Sequence, residues 1–291
     1  MPELPETETI ARDLNAEIRG ARVTSVEVRK ADVLRETDTV AFGAALAGCA
    51  VVRVWRRAKL VVLDLNPAMV QPGDGSATHT RSPEWHVVVQ PRFTGGLLLD
   101  TGTLTTADTA YVAVTLHFAD GRRLHYRDVR RLGTVALMTA TRFARYAGAL
   151  GLEPLDPTTD DIAFSGLLRA SHRPIKVVLM DQRRLAGVGN IYANEALWRA
   201  GIDPSREASA ITTGESAALR SALCAVLRAS IAARGTSFRD YRDARGERGR
   251  FVEHLAVYGR AGAPCPRCAR RLVGTHAIDG RGTVFCASCQ R

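Results

Sequence analysis

The hydrophobic period of this chain changes twice. Residues 7–18 follow helical spacing, with Ile10, Leu14, Glu17 and Ile18 on one narrow face and Gly20 placed to end the helix. From about Arg22 the period drops to two. RVTSVEVRK, CAVVRVWRRAKLVVLDL, EWHVVVQPRFTGGLLLD, AYVAVTLHFADGRRLHYRD and GTVALMT are strand-like, rich in β-branched residues and separated by turn formers. HFADGRRLHY predicts a hairpin around Asp120-Gly121. The first half is thus expected to be mostly β, as two packed sheets. NPAMVQPGDGSATHTRSPE, about 66–84, interrupts it with the composition of a long exposed loop.

The second change comes after GLEPLDPTTDD, whose two prolines and lack of period mark a linker. Helical patterning follows over 162–170, 175–181, 190–200 and from 209 or 213 to 234, with TTGES supplying an N-cap for the last. GTSFRDYRDARGERGR is polar, Gly-rich and basic, which predicts a flexible loop, and short strands surround the cysteine pairs of the tail. The expected organisation is a β domain over 1–138, a linker over 139–160, a helical domain over 161–255 and a cysteine-bearing end over 256–291.

Composition alters this picture in one respect. At 46% hydrophobic and 24% charged residues the chain is ordinary for a folded protein. It has no apolar run of about 18 residues and no basic stretch leading into an apolar one, so neither a membrane span nor a signal peptide is expected. The net charge of +10, however, is unusual, and among 40 basic residues the only lysines are Lys30, Lys59 and Lys176. From Gly235 onward there are 11 arginines against 5 acidic residues, a local excess that points to a polyanionic partner.

Three stretches carry chemistry. Cys265-Pro-Arg-Cys268 and Cys286-Ala-Ser-Cys289 have the spacing of a tetrahedral metal site, and four protein ligands leave no open position, so one structural Zn2+ is expected. Between the pairs, HAIDGRGTVF predicts a hairpin presenting Arg281 near its turn. Cys49 and Cys224 stand alone in apolar contexts and are expected to be inert and buried. In GVGNIYANEALWRAG, Gly187 and Gly189 punctuate a tight connection and Asn190 opens a helix, whose N-terminal N–H groups suit phosphate; a plain packing joint is the alternative.

The third stretch is the opening MPELPE. Methionine is normally removed before a small second residue, which leaves Pro2 a free secondary amine. An α-amino group titrates near about 7.7–8, against about 10.4 for lysine, so more of it is nucleophilic at neutral pH. Such an amine can attack an aldehyde-like carbon, a sugar C1′ for example, to give an iminium that acts as an electron sink. Glu3 is placed as general acid and base, with Glu6 one turn further on. The bland alternative is that prolines and carboxylates are common at helix starts.

Together these residues resemble the formamidopyrimidine-DNA glycosylase family, which is related to endonuclease VIII. MPELPE, RRAK (56–59), RDVRRLG (127–133), LMDQRRLAGVGNIYANEAL (179–197), VYGR (257–260) and the four-cysteine finger match in order across nearly the whole chain, and Leu4 favours the formamidopyrimidine branch. The resemblance implies an α+β fold, with an N-terminal β-sandwich and a C-terminal helical helix–two-turn–helix domain bearing a zinc-finger β-hairpin, and double-stranded damaged DNA in the cleft between them. It implies a bifunctional glycosylase and apurinic/apyrimidinic lyase of bacterial base excision repair. Pro2 would attack C1′, Glu3 would shuttle protons at the sugar ring oxygen, Glu6 would help position the site, and β,δ-elimination would cut both sides of the lesion. Lys59, Asn190 and Arg281 would grip phosphates, and Arg131 lies in a DNA-contacting run. Phe93, Arg130 and Leu132 would fill the gap left by a flipped-out base, with Arg130 on the widowed base, expected to be cytosine. The segment near 236–250 aligns with the one that covers a flipped 8-oxoguanine. A monomer acting in the bacterial cytoplasm, on the nucleoid, is the further implication.

The sequence departs from the family pattern around Gln90-Pro91-Arg92-Phe93, where the usual run begins with a phosphate-binding histidine and ends with methionine. Gln90 carries no charge, Phe93 is bulkier than methionine, Leu132 stands where phenylalanine is usual, and Val129 replaces a proline. These changes bear on lesion and partner-base choice. They leave open two alternatives to oxidised-purine excision: an oxidised-pyrimidine glycosylase of the endonuclease VIII type, and a non-catalytic zinc-containing module that binds damaged DNA.

Overall fold

The structure, a computed structural model, describes residues 2–67 and 83–291; most of the loop expected at 66–84 lies outside the described residues, as does Met1. The chain divides into two units. Among the described residues, the first comprises Pro2, Glu6–Gly148 and Ser237–Gly249, and the second Glu3–Pro5, Ala149–Thr236 and Arg250–Arg291.

Helix α1 (Leu4–Ile18) begins three residues before the expected start, with Pro5 and Glu6 in its first turn. Ile10, Leu14 and Ile18 are fully buried, and Gly20 ends the helix in the left-handed region at φ 84°. Then come β1 (Val23–Val28), β2 (Leu34–Arg35), α2 (Thr39–Leu46), β3 (Cys49–Arg57), β4 (Leu60–Pro67), β5 (Trp85–Gln90), β6 (Gly95–Asp100), β7 (Val112–Phe118), β8 (Arg123–Asp128), β9 (Thr134–Thr139) and α3 (Ala140–Gly148). The strands form a four-stranded sheet, β1-β7-β8-β6, and a five-stranded sheet, β2-β9-β5-β4-β3. Every pairing is antiparallel except β2 with β9. The expected hairpin joins β7 to β8 through Gly121, whose φ is 88°. One apolar core runs through both sheets and α1, with Phe42, Leu63, Val87, Leu116 and Tyr126 among its members.

The basic segment expected to be flexible is instead anchored in this unit. Tyr241 and Ala244 belong to the core, the Leu99 N–H donates to the Ala244 carbonyl at 2.8 Å, and the buried Asp243 carboxylate accepts the Arg245 and Glu247 N–H groups. Composition misled here because the anchors are tertiary.

The second unit holds α4 (Asp161–Arg169), α5 (Ile175–Met180), α6 (Asn190–Ala200), α7 (Thr213–Ala232) and the short pair β10 (Val273–Thr275) and β11 (Thr283–Phe285). Thr212 and Glu215 close a reciprocal capping box at the start of α7, a device worth about 1 kcal/mol; Ser209 belongs to a separate 3-10 turn. Leu4, Phe164, Leu179, Ile191, Leu197, Leu223 and Phe251 share a second core. Among the described residues no helix is long and apolar enough to cross a membrane.

Candidate functional site

Pro2 and Glu3 precede α1 rather than forming its first turn. Both are buried, and the Glu3 carboxylate reaches a different helix. Its Oε1 accepts the Ile191 N–H at 3.1 Å, at the N-terminus of α6, where the helix dipole favours an anion. The adjacent Leu4 N–H donates to the Gly187 carbonyl at 3.0 Å. Gly187 has φ 88°, and a Cβ there would stand 2.8 Å from a Leu4 methyl, so only glycine lets the start of the chain lie this close. The Gly-x-Gly connection expected to offer N–H groups to phosphate thus spends the Ile191 N–H on Glu3. Tyr258 lies beside the same carboxylate: burial and the Glu3 charge push its phenol up, against a hydrogen bond with Asn190.

The finger is the second constellation. The four Sγ atoms of Cys265, Cys268, Cys286 and Cys289 lie within 4.8 Å of one another, with Cys265 to Cys289 at 4.0 Å and Cys268 to Cys286 at 3.5 Å. Tetrahedral zinc with bonds of about 2.3 Å needs sulfur separations of about 3.8 Å, so the cage fits that ion in size and donor set. Within the cluster, burial pushes the Cys265 thiol up but the Arg267 N–H and neighbouring donors bring it down, while hydrogen bonds with the other thiols push Cys289 up.

The turn that carries Arg281 is seated on the helices by buried polar bonds. The Asn190 side-chain N–H donates to the Gly282 carbonyl at 2.9 Å, and Asn194 Oδ1 accepts the Val284 N–H at 2.7 Å. Lys176, fully buried, donates to Thr283 Oγ1 at 2.7 Å and to Asp279 at 3.1 Å; Asp279 also accepts the Arg281 N–H at 3.1 Å. Glu195, also fully buried, accepts the N–H groups of Ala256, Val257 and Tyr258 at 2.9–3.0 Å. Asn190 and the Arg281 turn are therefore held together. Sequence reasoning passed over Lys176, Asn194, Glu195, Tyr258 and Asp279. The available signal was an ionisable or amide side chain at a position that the apolar period assigns to the core, as in IKVVLM.

Pro2, Glu6, Lys59 and the run from Gln90 to Leu132 belong to the first unit. Glu6 is buried, and Lys59 is half-buried in the β3–β4 turn after Ala58, whose φ is 53°. Gln90 ends β5, opposite Thr134. Phe93, Arg130, Arg131 and Leu132 are exposed, and the Arg130 guanidinium lies 4.9 Å from the centre of the Phe93 ring. Arg131 meets Asp32 at 3.1 Å in an ion pair open to solvent, which adds little stability. Cys49 and Cys224 are buried as expected, with thiols pushed up first by burial.

Fold and sites define a class: an α+β protein with two β-sheets in one unit, and helices plus a four-cysteine hairpin in the other. Comparison with known proteins narrows it. The family model of the formamidopyrimidine-DNA glycosylase N-terminal domain matches residues 1–135, and that of the formamidopyrimidine-DNA glycosylase H2TH domain matches residues 150–242. The formamidopyrimidine-DNA glycosylase of Moorella thermoacetica is 42% identical over 274 residues, covering 94% of this chain and 93% of that protein. The one from Chloroflexus aggregans is 37% identical, covering 100% and 98%. Among solved structures, wild-type Lactococcus lactis Fpg bound to DNA with an N7-benzyl-Fapy-dG superposes with a TM-score of 0.85 at 29% identity, each chain fully covered. The Lactococcus lactis protein with abasic-site DNA gives 0.85 over 99% of each chain, again at 29% identity. The chain belongs to the formamidopyrimidine-DNA glycosylase family.

Proposed function

We propose that this DNA glycosylase of base excision repair removes oxidised purines, 8-oxoguanine and formamidopyrimidines, from duplex DNA, and then cleaves the strand as a lyase. One observation carries the reading. The buried Glu3 carboxylate is fixed against the N-terminus of α6, in the residue next to Pro2. A general acid needs such a fixed position beside its nucleophile.

In this mechanism the Pro2 nitrogen, freed by loss of Met1, gives its lone pair to C1′ of the damaged nucleotide. The glycosidic bond breaks, and its electrons leave with the base, which takes up a proton. The nitrogen sheds its own proton, Glu3 protonates the sugar ring oxygen, and C1′–O4′ opens to the iminium. Loss of the C2′ proton then expels the 3′ phosphate, and a second elimination expels the 5′ phosphate. Lys59, Asn190 and Arg281 hold backbone phosphates, Glu6 supports the nucleophile's position, and Gln90, Phe93, Arg130, Arg131 and Leu132 contact the duplex near the lesion. One zinc ion on Cys265, Cys268, Cys286 and Cys289 would cross-link the two finger turns and stand apart from the chemistry. The protein acts as a monomer in the bacterial cytoplasm, on the nucleoid.

Borohydride reduction in the presence of an abasic duplex tests the proposal. The mature protein should be trapped covalently through Pro2, and Pro2→Gly should weaken trapping. Glu3→Gln should slow 8-oxoguanine release about 1000-fold, within the range of general acid–base catalysis, and still bind abasic DNA. Parental excision by Glu3→Gln overturns the acid–base role, and faster release from thymine-glycol than from 8-oxoguanine duplexes overturns the substrate class. Absence of any trapped adduct leaves a binding module.

A further inference from the structure

Two loops of the first unit are bound to each other and end in exposed apolar side chains. One joins β5 to β6 and carries Phe93, 46% exposed; the other joins β8 to β9 and carries Val129 and Leu132, 41% and 42% exposed. The buried Asp128 carboxylate ties them together. It accepts the Thr94 hydroxyl at 2.5 Å, the Gly133 N–H at 2.7 Å, and the Arg130 N–H and Tyr126 hydroxyl at 3.3 Å each. Thr94 Oγ1 accepts the Arg130 N–H at 3.0 Å. A Cβ on Gly133 would fall 2.1 Å from the Tyr126 hydroxyl and 2.6 Å from the Gln90 carbonyl, so the loops approach closer than a side chain there would allow. Arg92 and Arg131, one in each loop, hold φ of 52° and 51°, a region that non-glycine residues rarely adopt.

Above this strained base the Arg130 guanidinium lies over the Phe93 ring at 4.9 Å. A cation above an aromatic face is attracted by the ring's negative π surface, and the planar guanidinium can stack on it. Each side chain thereby limits the other's rotamers.

We propose that Phe93 and Arg130 act as one stacked reading unit opposite the lesion, and that Phe93 sets partner-base choice by fixing the plane of the Arg130 guanidinium. The inference rests on the glycosylase reading above and gives Phe93 a role beyond filling space. A guanidinium held flat presents parallel N–H donors, which match the adjacent N3 and O2 acceptors of cytosine. The corresponding edge of adenine pairs an acceptor with a donor. A freely turning guanidinium would lose that distinction.

The test is equilibrium binding of the full chain to duplexes holding a tetrahydrofuran abasic analogue opposite C, A, G or T, read by fluorescence anisotropy. The parent should prefer C over A about tenfold, the discrimination of one good bidentate contact. Phe93→Leu and Arg130→Ala should each remove most of that preference, the double variant should remove no more than either alone, and Phe93→Tyr should retain it. Equal binding of all four duplexes by the parent overturns the inference. So does a uniform weakening of all four by Phe93→Leu, or effects that multiply in the double variant. Excision assays run in parallel separate the two readings. A Phe93-dependent preference without release of any oxidised base would sink the glycosylase proposal and keep the reading unit; normal release with unaltered preference in Phe93→Leu would do the reverse.

Discussion

The finger turn and the paired β5–β6 and β8–β9 loops, the proposed wedge, each present an arginine to solvent, yet they are built in opposite ways. Behind Arg281 stand Lys176, Asn194 and Thr283, all almost fully buried and hydrogen-bonded, and the left-handed residue of the turn is a glycine, Gly280. Around Arg130 the tips are exposed, the left-handed residues are Arg92 and Arg131, and a buried carboxylate at the base holds both loops. On the roles proposed above, Arg281 as a phosphate grip need only be in a fixed place, and a rigid polar lattice provides that at no backbone strain. Arg130 as a base reader would have to reach into the stack, which a narrow apolar tip with few neighbours permits. The departures from the family pattern fall on the wedge, where a changed side chain disturbs little else.

Metal removal puts the largest strain on this contrast. Among the described residues, the finger core apart from its ligand set has only Val257, Leu272 and Val284 as buried apolar residues, too few to hold a hairpin alone. Chelation or Cys268→Ser should therefore lower affinity for abasic DNA about a hundredfold by releasing the Arg281 turn. Anisotropy titration checks this, with zinc content measured on the same sample. Unchanged affinity after complete zinc loss would mean that the bonds from Lys176, Asn190 and Asn194 hold the turn unaided.

Lys176→Met asks the complementary question. Burial pushes the Lys176 ammonium down and Asp279 pulls it up, so charge and partner are matched inside the fold. Removing the ammonium leaves a nearly buried carboxylate with fewer donors, and such unpairing costs about 3 kcal/mol or more. Urea denaturation should register that loss, and DNA affinity should fall with zinc still bound. A variant as stable as the parent would show that Asp279 finds another partner and that the turn's rigidity has a different source.

What sequence could reveal follows the same division between local and distant causes. The cysteine spacing, the hairpin at Gly121 and helices α4 to α7 were legible because each is specified by residues close together in the chain. The β-sheet unit was legible as a class from its alternation. Helix α2 was missed because TVAFGAAL is too apolar to show a polar face, although only Phe42 and Leu46 are buried; α3 was hidden inside the expected linker. The basic segment read as flexible because its anchors, the Leu99 N–H and the β-unit core around Tyr241, lie far away in sequence. Lys176 passed as one of three lysines, since its partner Asp279 is 103 residues distant. Pro2 and Glu3 stand out in the sequence as a candidate pair, but nothing local disclosed that the Glu3 carboxylate would rest on α6.

The mildest test bears on the buried carboxylate at the base of these loops. Asp128 is 1% exposed and accepts from both loops, and its charge, together with burial, holds the Tyr126 phenol well above its usual range. Asp128→Asn preserves the shape but replaces one acceptor oxygen with an N–H, so the Gly133 N–H or the Thr94 hydroxyl must face a donor. One such mismatch costs about 1–2 kcal/mol, less than the loss at Lys176 because no buried charge is left unpaired. The rest of the β unit should survive it, since its core runs through both sheets. What should change is the geometry of the tips. With the loops free to separate, Arg130 leaves the Phe93 ring, and the preference among partner bases should shrink while overall affinity for abasic DNA stays within about threefold. Denaturation and anisotropy on the same preparation measure both quantities. If stability falls but partner-base preference persists, the stacked pair is held by its own attraction and the carboxylate merely supports the loops. If both are unchanged, the two loops are fixed by the strain-bearing backbone around Arg92 and Arg131, and the contrast with the finger turn loses its physical basis.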